Sequence, residues 1–278
     1  MLASKRFIAC CLLAGAAAGC GGSAAKPPAS AAAANNAEVA STDAIAQAVA
    51  SAVRTPDNRA RDPHRHPYET LRFFDIQPTQ TVVELWPGRG WYTEVLAPLL
   101  REQGALRVAV ARGNYLAPYK EFLAKQPTAF DRVEVVEVEP PGTLSLGPDG
   151  SADAVLTFRN LHGWIEHGYA EQVHAAIFKV LKPGGVYGVE EHRAKPGATL
   201  EDVKSGYVSE EQAIALATAA GLVLEERSEI NANPKDTKDY PNGVWSLPPT
   251  LQGKDVDRDK FVAIGESDRM TLRFRKPK

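Results

Sequence analysis

The chain has very little cysteine: three residues in 278, at positions 10, 11 and 20, and none after Cys20. A folded domain beyond that point holds no disulfide framework, no zinc–thiolate centre and no thiol nucleophile. An excess of one charge is also lacking. With 32 Lys and Arg against 34 Asp and Glu the formal net charge is −2, so the electrostatic footprint of a nucleic-acid binder is missing. The apolar run at residues 7–18 is shorter than the roughly 20 residues a helix needs to cross a bilayer. At 44% hydrophobic and 24% charged, the composition suits one large α/β domain.

At the N-terminus, Lys5 and Arg6 precede the short apolar core, the pattern of a removable signal. The core ends Ala17-Ala18-Gly19-Cys20, which resembles the lipobox of bacterial lipoproteins, with Ala17 where leucine is usual. The resemblance implies a signal peptide at residues 1–19 and lipidation of Cys20. The alternative is an ordinary secretory signal cleaved nearby, leaving a soluble periplasmic protein. Gly21, rather than Asp, follows the cysteine, which by the same resemblance implies sorting to the outer membrane. The expected location is the periplasmic side of a bacterial cell envelope, with the membrane reached through a lipid anchor. Losing Lys5 and Arg6 takes the net charge from −2 to about −4. Residues 20–40 are mostly Ala, Ser, Gly, Pro and Asn, which cannot bury a core and read as a flexible tether. Residues 41–278 are then the domain.

Within it, Ile45, Val49 and Val53 recur every four residues, predicting a helix capped near Thr42 and ended by Pro56. A second helix starts at Pro67, a favoured first-turn residue. Apolar strand patterns at residues 82–85, 106–111, 132–138, 154–158 and 186–190 alternate with helical ones at 91–100, 115–124 and 169–181. That alternation predicts a parallel, doubly wound sheet. Lys182-Pro183-Gly184-Gly185 reads as a glycine C-cap and turn. Ser209 and Gln212 form a capping box opening a helix that ends at Gly221, followed by a sixth strand at 222–230. Residues 269–275 set Met270, Leu272 and Phe274 against four alternating polar positions, predicting a strand whose arginines face solvent. Residues 231–268, with Pro234, Tyr240, Pro241 and Trp245, form an insertion that is either a lid or a loose loop.

The most informative stretch is residues 81–98: a buried strand carrying Glu84, a turn with Gly88 and Gly90, then an amphipathic helix. It has the form of the nucleotide-binding start of an α/β domain. It resembles the first motif of class I S-adenosylmethionine-dependent methyltransferases, Asp/Glu-x-Gly-x-Gly-x-Gly, with Glu84, Gly88 and Gly90 in register and Trp86 replacing the first glycine. The run Trp-Pro-Gly-Arg-Gly-Trp-Tyr-Thr is similar to a branch of secreted, lipoprotein-type predicted methyltransferases. Leu-Lys-Pro-Gly-Gly before the fifth strand is a frequent family feature, and the likeness extends from about residue 61 to 277. The resemblance implies a seven-stranded Rossmann-like sheet with the last strand antiparallel beside the fifth, which Rossmann dehydrogenases lack. It also implies S-adenosylmethionine as cofactor and methyl transfer to an unknown small or envelope-borne acceptor.

In such a sheet the ligand lies at the carboxyl ends of the strands. The resemblance places Glu84, Trp86, Gly88, Gly90 and Tyr92 around the cofactor, with Glu84 either pairing its ammonium or ordering the loop. After the second strand stands Arg112, where the family carries an acidic residue for the ribose. An arginine there is also what an NADP-binding oxidoreductase would use, although the third glycine of that fingerprint is Thr93. Glu137, ending the third strand, either accepts from an adenine amino group or is solvated rim. After the fourth strand, Arg159-Asn160-Leu161-His162 resembles the Asn-x-Leu-His element of small-molecule methyltransferases. That likeness sets Asn160 and Leu161 near the cofactor and leaves His162 as a general base or a structural histidine. Glu191 and His192 face the same mouth, His192 as a second catalytic candidate. His64 and His66 have no further ligand at recognisable spacing, so no metal site is assigned, and the segment around Arg65 is expected to fold over the cleft. The alternative to an enzyme is a non-catalytic methyltransferase-like binding lipoprotein, favoured by Trp86 and the missing acidic residue, whereas the intact glycine turn favours the enzyme.

The lipobox yields the first test. Cys20→Ser should move the protein from the membrane fraction to the soluble fraction, read by fractionation and by acyl mass on the N-terminus. A wild-type protein that is soluble and carries no acyl group overturns the anchor.

Overall fold

Seven strands pair into one sheet in the order β3-β2-β1-β4-β5-β7-β6. They are β1 (Thr81–Leu85), β2 (Ala105–Ala111), β3 (Val133–Val138), β4 (Ala152–Phe158), β5 (Leu181–His192), β6 (Val223–Ser228) and β7 (Arg269–Arg275) in a computed structural model that describes residues 43–278. The signal peptide, Cys20, the tether and Thr42 lie outside the described residues. β1 runs parallel between β2 and β4, and β4 runs parallel to β5. β7 inserts antiparallel between β5 and β6. The chain reverses once, between β1 and β4, and the carboxyl ends of those two strands therefore frame a cleft.

Period-two alternation explains why both faces are covered. Val83 and Leu85 of β1 join the core under helix Ala170–Val180, while Val82 joins the core under helix Thr93–Leu100. Across the second face pack the N-terminal helices Ala44–Ala50 and Pro67–Phe73. The first is capped by Asp43, whose Oδ1 accepts from the amides of Ile45 (2.9 Å) and Ala46 (3.3 Å). Arg54 then turns inward, pairs with Asp62 at 2.6 Å and lies over the Trp91 ring, 4.9 Å from its centroid.

Two segments differ from the sequence reading. Helix Ala170–Val180 ends at Leu181, which is already extended, so Lys182–Gly185 is not a glycine C-cap. It is the irregular entry to β5, where the register with β4 shifts, and Gly184 (φ 80°) donates to the Lys276 carbonyl at 2.9 Å. The arginine face of β7 is not a solvated one either. β7 is an interior strand, and the N-terminal helices cover its start, so Arg269 is 1% exposed and sits against Glu190 and Glu266.

The insertion at 231–268 is pinned along its length. Asn231 donates to Thr70 and Thr271, each at 3.0 Å, and the Tyr207 hydroxyl donates to Asp236 at 3.1 Å. The 3₁₀ turn Gly243–Ser246 seats on the turn Asp202–Ser205. Gly243 (φ 53°) makes that contact possible, because a Cβ there would lie 2.2 Å from the Ser205 carbonyl oxygen. Gly243→Ala should therefore lower unfolding free energy by about 1–3 kcal/mol, the range for overpacking. Denaturant unfolding checks this, and unchanged stability would mean that the turn does not rest on Ser205.

Candidate active site

β1 delivers Glu84 into the interior, where it is 1% exposed. Its carboxylate accepts from the Thr93 hydroxyl at 2.6 Å, and that oxygen lies 3.1 Å from the Tyr119 hydroxyl. Among the described residues no cation pairs with it, and burial pushes the Glu84 carboxyl up to about 7 against the opposing Thr93 hydrogen bond. The Thr93 that interrupts the dinucleotide glycine pattern is thus the partner of the acidic residue.

The turn follows directly. Trp86 adopts φ 44°, the left-handed conformation that glycine would take without strain, and its ring packs 5.1 Å from that of Trp164. The backbone of the glycine turn is kept although the glycine is not. Gly88 (φ 59°) has open space where a Cβ would stand. Gly90 (φ 80°) does not: a Cβ there would lie 2.3 Å from the Phe122 ring, so this glycine admits a side chain of the fold rather than bare approach of a ligand.

These residues open on a cavity of about 1040 Å³ at the carboxyl ends of the strands. Glu84, Trp86, Gly88, Tyr92, Asn160, His162 and His192 all line it, whereas Gly90, Arg112, Glu137 and Leu161 do not. Arg112 is exposed and paired with Glu139 at 3.1 Å and Glu137 at 3.4 Å. Glu137 also binds Lys120 at 2.8 Å, so these charges form a surface network. Leu161 is fully buried in the core. Asn160 donates to the Leu85 carbonyl (2.9 Å) and Thr157 (3.1 Å), bracing β4 against β1. Tyr92 stacks on Phe158 at 3.5 Å and donates to Glu190 at 3.3 Å.

At the mouth, Glu191 is a fully buried carboxylate. It accepts from the amides of Leu161 (2.5 Å), His162 (3.3 Å) and His192 (2.8 Å), and His162 Nδ1 lies 3.0 Å from it. The two histidines, 5.6 Å apart between ring centroids, are driven in opposite directions. Burial pulls His162 down, but the charge and hydrogen bond of Glu191 outweigh it and hold His162 above its ordinary value. Burial, the nearby His162 and Arg159 hold His192 well below, so it is the neutral ring, its Nδ1 2.6 Å from Ser267. Nitrogen and oxygen atoms of His162, Glu191 and His192 lie within 4.8 Å of one another, a metal-ligand grouping that no spacing in the sequence announces. Since both Glu191 oxygens already accept from N–H groups, its evident role is to anchor the loops after β4 and β5. His66 instead faces Asn231 at 3.3 Å.

Arg159, to which the sequence assigns no role, lines the cavity, and so do Trp245 and Pro248 of the insertion that reads as a lid or a loose loop. Of the segment Arg65–Glu69 expected to fold over the cleft, Arg65 lines the cavity and His66, Pro67 and Glu69 do not; Arg61, before that segment, lines it too.

No protein-family model matches the chain, and no curated protein matches it. Among solved structures it is similar to a SAM-dependent methyltransferase from Aquifex aeolicus, with TM-score 0.54 and 16% identity over 78% of this chain and 92% of that one. The [4+2]-cyclase SpnF scores 0.54 at 17% identity, covering 79% and 80%. A SAM-dependent methyltransferase from Methanosarcina mazei scores 0.51 at 13%, covering 74% and 96%. The fold is that of the class I methyltransferases. At these identities the likeness is one of fold, and the cyclase among them is a reminder that activity rests on the site.

Glu84 supplies a direct test of the site's electrostatics. Its folded pKa, about 7, lies above the ordinary 4.5, so its contribution is fully present below about pH 4.5 and lost as pH rises through 7. The loss amounts to about 3 kcal/mol at 1.36 kcal/mol per unit. Glu84→Gln should therefore stabilise the ligand-free protein above neutral pH and flatten its stability profile across that window. Parallel profiles for the two proteins would show that Glu84 is not buried uncompensated.

Proposed function

We propose that this domain binds S-adenosylmethionine at the turn after β1 and transfers its methyl group to a small or envelope-borne acceptor. The observation that carries the reading is Glu84, a buried carboxyl with no cationic partner beside a left-handed turn with open space at Gly88. A ligand ammonium would supply the missing countercharge, and the residues present fit such a group. The family's acidic residue after β2 is absent, and Arg112 is already occupied by Glu137 and Glu139. That leaves ribose recognition to other groups and gives a 2′-phosphate no free arginine at that point.

The cofactor would supply an activated methyl group, and such a displacement depends mainly on alignment and exclusion of water. Trp245 and Pro248 line the cleft, as do the stacked rings of Tyr92 and Phe158, and supply apolar walls for that exclusion. His192, held neutral, is the group able to take a proton from an acceptor, with His162 fixed beside it by Glu191. The domain would work on the periplasmic side of the envelope, anchored through Cys20. The second reading, a binding lipoprotein without catalysis, is favoured by Trp86, which stands where the family has a glycine.

Pairing Glu84 with an ammonium lowers its pKa, so binding of S-adenosylhomocysteine at about pH 6 should release up to about one proton. Calorimetry in two buffers of different ionisation enthalpy reads that release, and Glu84→Gln should abolish it. Radiolabelled methyl appearing on envelope extract separates the enzyme from the binding protein. A folded protein that binds neither S-adenosylmethionine nor S-adenosylhomocysteine at millimolar concentration overturns the assignment.

A further inference from the structure

Four guanidinium groups, Arg61, Arg65, Arg159 and Arg269, converge on the β4–β5–β7 side of the cleft around two carboxylates, Glu190 and Glu266. Glu266 is already committed: Arg61 Nε lies at 2.7 Å, Arg65 Nε at 3.0 Å and Arg269 Nη1 at 3.2 Å. Glu190 lies 3.1 Å from Arg269 and accepts from Tyr92. Glu190 Oε1 accepts no hydrogen bond, and the charges of Glu190 and Glu266 reach Arg159 only from beyond ion-pair distance. Among the described residues no carboxylate stands within ion-pair distance of it, and its buried Nε has no hydrogen-bond partner. Arg61 Nη2 is likewise buried without one.

We propose that Arg61, Arg65 and Arg159 form a receptor for an oxyanion, the carboxylate or phosphate group of the methyl acceptor. The word acceptor rests on the methyl-transfer reading; the oxyanion receptor does not. All three side chains line the cavity. Arg159 is held in place by its backbone, which is left-handed (φ 62°) and bonded through its amide to the Glu190 carbonyl at 2.7 Å. Non-glycine residues avoid that conformation unless the surroundings impose it, and such positions cluster at functional sites. A half-buried guanidinium whose Nε has no hydrogen-bond partner and which has no carboxylate within ion-pair distance is open to an anion, and its planar fork suits carboxylate or phosphate. Arginines outnumber carboxylates here: burial and the like charge of Arg159 hold Arg65 well below its ordinary value, and four arginines outweigh burial to hold Glu266 down at about 2. Location separates this receptor from the cofactor turn. Glu84 and Gly88 belong to β1 and its turn, whereas Arg159 follows β4 and is tied to β5, one strand beyond. His192 lines the same cavity, near enough to Arg159 for the cation to depress its pKa, so an acceptor anchored here would present its reacting group to the neutral base.

The test uses inorganic phosphate and benzoate as probes, with chloride at matched ionic strength as control. Both should raise the melting temperature of the wild-type protein, and Arg159→Gln should weaken phosphate binding at least tenfold, with Arg159→Lys partly restoring it. Because it removes a cation that has no carboxylate within ion-pair distance and crowds Arg65, Arg159→Gln should melt no lower than wild type. Its affinity for S-adenosylhomocysteine should stay within about twofold of wild type, because only the acceptor's anion is lost. Absence of phosphate binding, or equal binding by both proteins, overturns the receptor. A tenfold loss of S-adenosylhomocysteine affinity with 5′-methylthioadenosine unaffected would assign the guanidinium to the cofactor's own carboxylate and overturn the acceptor site. Should Arg159→Gln fail to fold, Arg61→Gln carries the same comparison. Phosphate binding that persists in a protein unable to bind S-adenosylhomocysteine leaves the receptor standing and removes the methyl-transfer reading.

Discussion

One buried carboxylate, Glu266, joins parts of the chain that the sequence holds far apart. It accepts from Arg61 and Arg65, 205 and 201 positions earlier, and from Arg269 at the start of β7. Around it the N-terminal helices dock onto the far end of the sheet and close one wall of the cleft. Arg269 extends the tie to Glu190 of β5 and to the His64 carbonyl. Removing one partner of such a buried pair leaves the other charge without compensation, typically at a cost of about 3–5 kcal/mol. The position of the N-terminal helices, and with them Arg61 and Arg65, is therefore coupled to a residue at the end of the insertion.

Asp268, two residues on, works in the same way from the outside. It pairs with Arg193 at 2.9 Å and Lys238 at 2.7 Å, and Arg193 reaches Glu229 and Glu210. Between them Glu266 and Asp268 fix both ends of residues 231–268, so the 3₁₀ turn carrying Trp245 is held over the cleft by charge as well as by packing.

The sheet was legible because its strands are buried on both faces and separated by amphipathic helices, a pattern that leaves few topologies open. β7 was legible in place and direction by family likeness, yet its arginine side was misjudged. Alternation tells which residues share a face, and it does not tell what will cover that face. Arg269 is buried because helices two hundred residues earlier pack there, an effect with no local signature. Lys182–Gly185 was misread for a related reason: its glycines mark a left-handed turn, but a turn at a helix end and a bulge at a strand start look alike in sequence. In the site, Glu84 and the turn stood out because their spacing is short-range. Trp86 was visible as a departure, whereas the φ that reconciles it with the glycine turn was not. Arg159 carries no periodicity or spacing signal at all; only the placement of Glu190 and Glu266 shows that it has been left unpaired.

The cleft is thus polarised in a way that a merely structural interior would avoid. Among the described residues, a buried carboxyl on the β1 side has no cation paired with it, and a half-buried guanidinium on the β4–β5 side has no carboxylate within ion-pair distance. Each is unfavourable in the ligand-free protein. Trp86 and Arg159, in left-handed conformations that glycine tolerates far better, border the two sides. Local rules broken at the same place, with no ion-pair partner for either group among the described residues, point to compensation from a ligand. A ligand set with an ammonium at one end and an oxyanion at the other supplies both missing charges, so filling the cleft would remove the penalties that the empty fold retains.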